Sequence, residues 1–165
     1  MRGPVTIALL ACTVSLCASS ANAGTVVYGY PLATRCPDAG VAKAVDRYGM
    51  FACNCTSYVA WALAANGQRI DWFVRGSMDA WNWPNVARRA HIRVGRAARV
   101  GAVVVWPKLA PPFGHLAYVT RVESGGRFDV AEYNFDSDNP AAAFAFDTRT
   151  GLAPGGATFI YVPRR

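Results

Sequence analysis

The spacing of apolar positions along this chain changes near Arg99. Before that point the apolar residues recur at helical intervals; beyond it they run together or alternate, as strands do. Asn54 to Ala65 carries the clearest helical stripe, Tyr58, Val59, Ala62 and Leu63, with Asn54 placed to cap its start and Gly67 just past its end. A short helix is predicted over Asp38 to Tyr48, after an extended entry from Thr25 to Pro37. Gly76 opens a further helical stretch, with Ser77 as its N-cap and Asp79, Ala80 and Trp81 inside it. Pro84 then starts or kinks a turn that runs through Val86 to Ala90. Strands are predicted over Val100 to Trp106, His115 to Val122, Arg127 to Asn134 and Ala157 to Val162, with Gly125-Gly126 as a hairpin turn and a further strand near Phe144 to Thr148. Helices first and an antiparallel sheet after them make the fold class α+β.

The first residues follow another pattern. Arg2 precedes an apolar stretch from Val5 to Cys17, and Ala21-Asn22-Ala23 has the small-residue form of a cleavage site. This reads as a secretory signal peptide over residues 1–23, leaving residues 24–165 as a single domain, secreted or periplasmic. A lipobox at Leu9-Leu10-Ala11-Cys12 is the competing reading, and the apolar stretch before Cys12 is too short for it. No apolar run has the roughly 18–20 residues and the flanks of a membrane-spanning helix.

Composition narrows the class. The chain has 165 residues, 53% of them apolar and 16% charged, which excludes disordered, collagen-like and coiled-coil chains. The formal charge is +7, carried mostly by arginine. Such a balance suits an anionic polymer such as cell-wall glycan-peptide, teichoic acid or lipid head groups, although a GC-rich genome would give the same composition. The basic stretch Arg88 to Arg99 has no readout motif for nucleic acid. Trp72, Trp81, Trp83 and Trp106 could line a groove, with core packing the better expectation for most.

Beyond the signal peptide three cysteines remain, Cys36, Cys53 and Cys55. An odd number leaves one thiol free, shared or reactive. A Cys36–Cys53 bridge would contribute roughly 3 kcal/mol by loop-closure arithmetic and leave Cys55 over, while Cys36–Cys55 is also geometrically possible. A Cys53–Cys55 bridge would be badly strained. Three cysteines without a suitably spaced histidine make a poor zinc pattern, and no metal or other cofactor is expected. Asp136-Ser137-Asp138-Asn139 resembles a calcium-type run but lacks the glycine and terminal glutamate of an EF-hand loop.

Cys55 opens a predicted helix, where the partial positive charge favours thiolate. Such a thiol needs a base and a group to orient that base. His91 lies in a basic, solvent-facing stretch, whereas His115 begins an apolar strand. Glu132 and Asn134 lie on the next strand, across the hairpin, two residues apart and therefore on one face. Each alone has an ordinary structural reading: a buried thiol, a strand-end histidine, a strand running into a polar loop. Together they form a candidate Cys/His/carboxylate or Cys/His/amide cluster.

These residues carry a resemblance. Cys55-Thr56-Ser57-Tyr58-Val59-Ala60-Trp61-Ala62-Leu63 resembles the nucleophile helix of the CHAP family, the cysteine- and histidine-dependent amidohydrolases/peptidases. Gly76 to Trp81 resembles its connecting segment, Arg99 to Trp106 its first core strand, Gly114 to Val119 its histidine strand and Val130 to Asn134 its Glu-x-Asn strand. The motifs stand in the family's order from about Cys53 to Asn134. The resemblance implies a papain-like fold, with N-terminal helices packed on an antiparallel β-sheet, and hydrolysis of amide bonds, usually in bacterial peptidoglycan. It implies Cys55 as nucleophile, His115 as base and Glu132 and Asn134 as orienting groups. Ala102 stands where many members have Asp, and the Cys36/Cys53 pair is not a general family feature. The backbone N–H of Cys55 and the Asn54 side chain are the candidate oxyanion donors. The expected protein is thus a monomeric secreted amidase or endopeptidase of peptidoglycan. A hydrolase of a small amide or protein, and a catalytically silent wall-binding domain, are the alternatives.

Overall fold

In a computed structural model of the chain the described residues are 30–31, 36, 44–72, 79–135 and 143–165. Helix α1 spans Cys55–Ala65, and a 3-10 turn over Ala80–Asn82 leads into α2, Trp83–Arg89. The strands are β1 (Val94–Gly95), β2 (Val103–Trp106), β3 (His115–Val122), β4 (Phe128–Tyr133), β5 (Phe146–Leu152) and β6 (Thr158–Ile160). They form one sheet in the order β1-β6-β2-β3-β4-β5, with every neighbouring pair antiparallel. The α+β class is therefore the observed one.

Helix α1 forms because Ala60, Ala62, Leu63, Ala64 and Ala65 favour it intrinsically. It is buried on nearly every side, from Thr56 through Ala60 and again at Ala62 and Leu63, as befits a core helix. It packs on β3 and β4. Its end is closed by the Asn66 side-chain amide donating to Ala62 O (2.8 Å) and the Gly67 N–H donating to Ala64 O (3.1 Å), with Gly67 at φ +68°. Buried Gln68 then ties this end to the sheet. Its Nε2 donates to Gly101 O and Val162 O, and the Tyr118 hydroxyl donates to its Oε1, all at 2.9 Å.

The central strands are covered on both faces, which is why they run as unbroken apolar segments. Val103, Val105, Leu116, Tyr118, Ala131 and Tyr133 face the helices. Val104, Ala117, Val119, Phe128, Val130 and Phe159 form a second cluster on the other face. By the two-residue alternation of strands, His115 and Glu132 belong to this second face, at the end of the sheet where β3 begins.

Several boundaries differ from expectation, each for a local reason. The described end of the Asp38–Tyr48 helix, residues 44–48, is bridge and turn. There Asp46 Oδ1 accepts the N–H groups of Tyr48 (2.8 Å) and Met50 (2.9 Å), a local arrangement that competes with helix. Asn54 precedes α1 without capping it through its side chain. Gly76 and Ser77 lie outside the described residues, as do residues 1–23, most of 25–37 and the acidic run at 136–139. Gly101 turns at φ +80°, so β2 starts at Val103 rather than Val100. Asn134 has φ +55°, so β4 stops at Tyr133. β5 continues to Leu152, and the two-residue β1 escaped the pattern altogether.

Gly114 sets where β3 and its histidine begin. It has φ +73°, and a Cβ there would lie 2.8 Å from the Trp81 backbone nitrogen. Gly114→Ala is expected to cost about 3 kcal/mol from strain and overlap together. Urea unfolding would show this as a lower midpoint at unchanged slope.

Candidate active site

His115 is 1% exposed and Glu132 wholly buried, and His115 Nε2 lies 2.7 Å from Glu132 Oε2. Cys55, the first residue of α1, is partly exposed and carries the free thiol. The thiol lies close enough to the His115 ring to act on its charge. With Nε2 engaged by Glu132, Nδ1 is the ring nitrogen left for the thiol. Two aromatic rings pack near the imidazole, Phe135 at 4.5 Å and Trp106 at 6.1 Å between centroids. The ring is thus held by its Glu132 partner and by its aromatic neighbours.

The electrostatics follow from this geometry. Burial alone would push the His115 pKa down, but the Cys55 thiolate and the Glu132 carboxylate outweigh it and raise the value to about 9. Burial alone would raise Glu132; its hydrogen bonds to His115 and Arg149 reverse this and hold it below the usual carboxylate range. Both effects keep His115 protonated, with a charged carboxylate behind it. The Cys55 N–H, in the first turn of α1, has no intrahelical acceptor.

Asn134 is placed differently from Glu132. Its Nδ2 donates to Asn54 Oδ1 (2.9 Å), and its Oδ1 accepts the Phe144 N–H (2.9 Å). It therefore holds Asn54 rather than His115. The shared-face expectation fails because the positive φ at Asn134 ends the strand alternation one residue earlier. Asn54 in turn donates from Nδ2 to Ala52 O (3.0 Å), which leaves one amide hydrogen of that group for the groove.

Cys36 and Cys53 are disulfide-bonded, with an S–S distance of 2.07 Å and 5.7 Å between Cα atoms. A groove of about 280 Å³ opens over the thiol, lined by Asn54, Cys55, His115 and Asn134, with Phe51 and Phe113 exposed at its rim. A larger hollow of about 760 Å³ between Arg96, Trp106 and Lys108 is lined by no thiol or hydroxyl. Trp72 and Trp83 are core residues packed edge to face at 5.4 Å, Trp81 is exposed, and Trp106 packs on the histidine. His91 is exposed and outside the site. Among the described residues no group of His, Cys, Asp and Glu could hold a metal ion, and no helix is long and apolar enough to cross a membrane.

The residue that sequence reasoning missed is Arg149. It pairs with Val130 in the β4–β5 register, diagonal to Glu132, and binds both carboxylate oxygens from there. The only sequence signal was its parity with Asp147 on a strand expected to end at Thr148.

A thiol at a helix start, set against an imidazole that a carboxylate orients, defines a Cys/His/carboxylate site on an α+β scaffold. Residues 45–134 match the CHAP domain, and the chain belongs to that family. It is 29% identical over 93 residues to a "Putative hydrolase" of Streptococcus mutans, a match that covers 55% of this chain and 41% of that protein. The chain thus spans about two fifths of that curated relative. Its fold is similar to the crystal structure of an N-acetylmuramoyl-L-alanine amidase from Staphylococcus aureus, with a TM-score of 0.55 and 24% identity over 67% of this chain and 30% of that one.

The two polar residues of the Glu-x-Asn strand should separate by titration. Glu132→Gln is expected to bring the His115 midpoint down from about 9, whereas Asn134→Ala should leave it in place. Imidazole NMR across the pH range reads both; an equal fall in both variants would show that Asn134 also orients the ring.

Proposed function

We propose that this chain is an exported cysteine hydrolase that cleaves amide bonds of bacterial peptidoglycan, either between muramic acid and L-alanine or within the peptide crosslinks. The Cys55–His115–Glu132 array, with Cys55 and His115 lining the groove and Glu132 buried behind them, carries the reading. Membership of the CHAP family and the likeness to an amidase fold support the substrate class, and the signal-like residues 1–23 support export.

The proposed route uses these residues in turn. The Cys55 thiolate attacks the amide carbonyl carbon, and the carbonyl electrons move onto oxygen. The Cys55 N–H, with the remaining Asn54 amide hydrogen, stabilises that oxyanion. The intermediate collapses with cleavage of the C–N bond, and His115 gives its proton to the leaving amine. Water, deprotonated by His115, then attacks the thioester; the acid leaves and the thiolate returns. Glu132 stays ionised throughout and holds the ring for both proton transfers.

Digestion of purified sacculi by the full chain, read by mass spectrometry beside Cys55→Ala, tests this. New termini are expected with the wild type alone, and their identity distinguishes amidase from endopeptidase. Release should decline as pH rises through about 9, because an unprotonated His115 has no proton for the leaving amine. Intact sacculi from several wall chemistries would turn the reading towards another amide or a binding domain.

A further inference from the structure

We propose that Arg149 is a positioning residue of this site: its guanidinium holds the Glu132 carboxylate and both aromatic walls of His115, and through them sets the imidazole against Cys55. The inference rests on the hydrolase reading for its purpose but not for its test. Arg149 Nε lies 2.5 Å from Glu132 Oε1 and Nη2 lies 2.9 Å from Oε2, a two-pronged contact that fixes the carboxylate plane. Oε2 is the same oxygen that meets His115 Nε2 at 2.7 Å. The guanidinium carbon also stands 4.1 Å from the centre of the Phe135 ring and 5.1 Å from that of Trp106, two rings that pack near the imidazole. One side chain thus meets the carboxylate bonded to His115 and both rings packed near it.

A carboxylate without solvent access is costly to keep ionised, and it takes up a proton or shifts when its cation is removed. A protonated Glu132 would no longer favour imidazolium. An imidazolium is in turn what makes a neighbouring thiol reactive. Arg149 therefore acts on the nucleophile across two intermediaries. A purely structural role, pinning β5 to β4, would lower stability and leave the reactivity of Cys55 where it is.

The test is iodoacetamide alkylation of the full chain, with the Cys55 peptide followed by mass spectrometry as pH is varied. Arg149→Met is expected to slow Cys55 alkylation at mildly acidic pH by about tenfold, because the imidazole is no longer held against the thiol. Arg149→Lys keeps the charge without the fork and should recover part of the rate. In a Glu132→Gln background Arg149→Met should add nothing further. A wild-type alkylation profile in Arg149→Met, or a full additional loss in the Glu132→Gln background, overturns the proposal. Should Arg149→Met fail to fold, Arg149→Lys decides alone: a partial loss supports the proposal and a wild-type profile overturns it. The probe is not a wall polymer, so inactivity on sacculi and failure of the Arg149 role are separate results.

Discussion

The Glu132 carboxylate has no access to water, and keeping it charged constrains the structure around it. Its oxygens are met by His115 from β3 and by Arg149 from β5, so one buried group links three adjacent strands. A slip of one residue in either strand would turn a partner to the opposite face and leave the charge alone. Trp106 and Phe135 complete the enclosure, excluding water and strengthening each charge interaction inside it. What would be a liability in the core becomes the means of holding an imidazole with its proton.

The nucleophile arrives from the other layer, and its position has its own supports. Cys53, at φ +60° and fully buried, is bridged to Cys36 two residues before the thiol. The Cys36 N–H donates to Phe144 O (2.8 Å), the Phe144 N–H to the Asn134 side chain, and Asn134 to Asn54, next to Cys55. The contacts close a ring through the disulfide, the β4–β5 connection and the start of α1. Its effect is to fix the helix start relative to the sheet end, which is what the thiol and imidazole require of each other. The disulfide adds roughly 3 kcal/mol by restricting the unfolded chain. It also leaves Cys55 as the unpaired thiol among the described residues.

Local patterns were largely legible. The stripe Tyr58, Val59, Ala62 and Leu63 announced α1, and the apolar run from His115 matched β3 to its last residue. The candidate cysteine, histidine and glutamate came from the same reading, because a helix start, a strand start and a hairpin are each encoded by contiguous residues. Less legible were places where a side chain captured the backbone or a single dihedral broke a pattern. Asp46 replaced a helix end with a turn, and the positive φ at Asn134 moved that amide from the histidine to Asn54.

The sequence by itself determined the order of elements, the α+β class, the family motifs and which residues could supply a thiol, a base and a carboxylate. Only the tertiary structure decided how the two polar residues after Ala131 divide, with Glu132 on the imidazole and Asn134 on Asn54, and brought in Arg149. The reason is one of distance along the chain. Periodicity and turn chemistry act between neighbours, whereas the Arg149 contact depends on the register of β5 against β4, including its shift between Phe128 and Val130. That register follows from packing of the whole sheet, not from any short stretch of sequence.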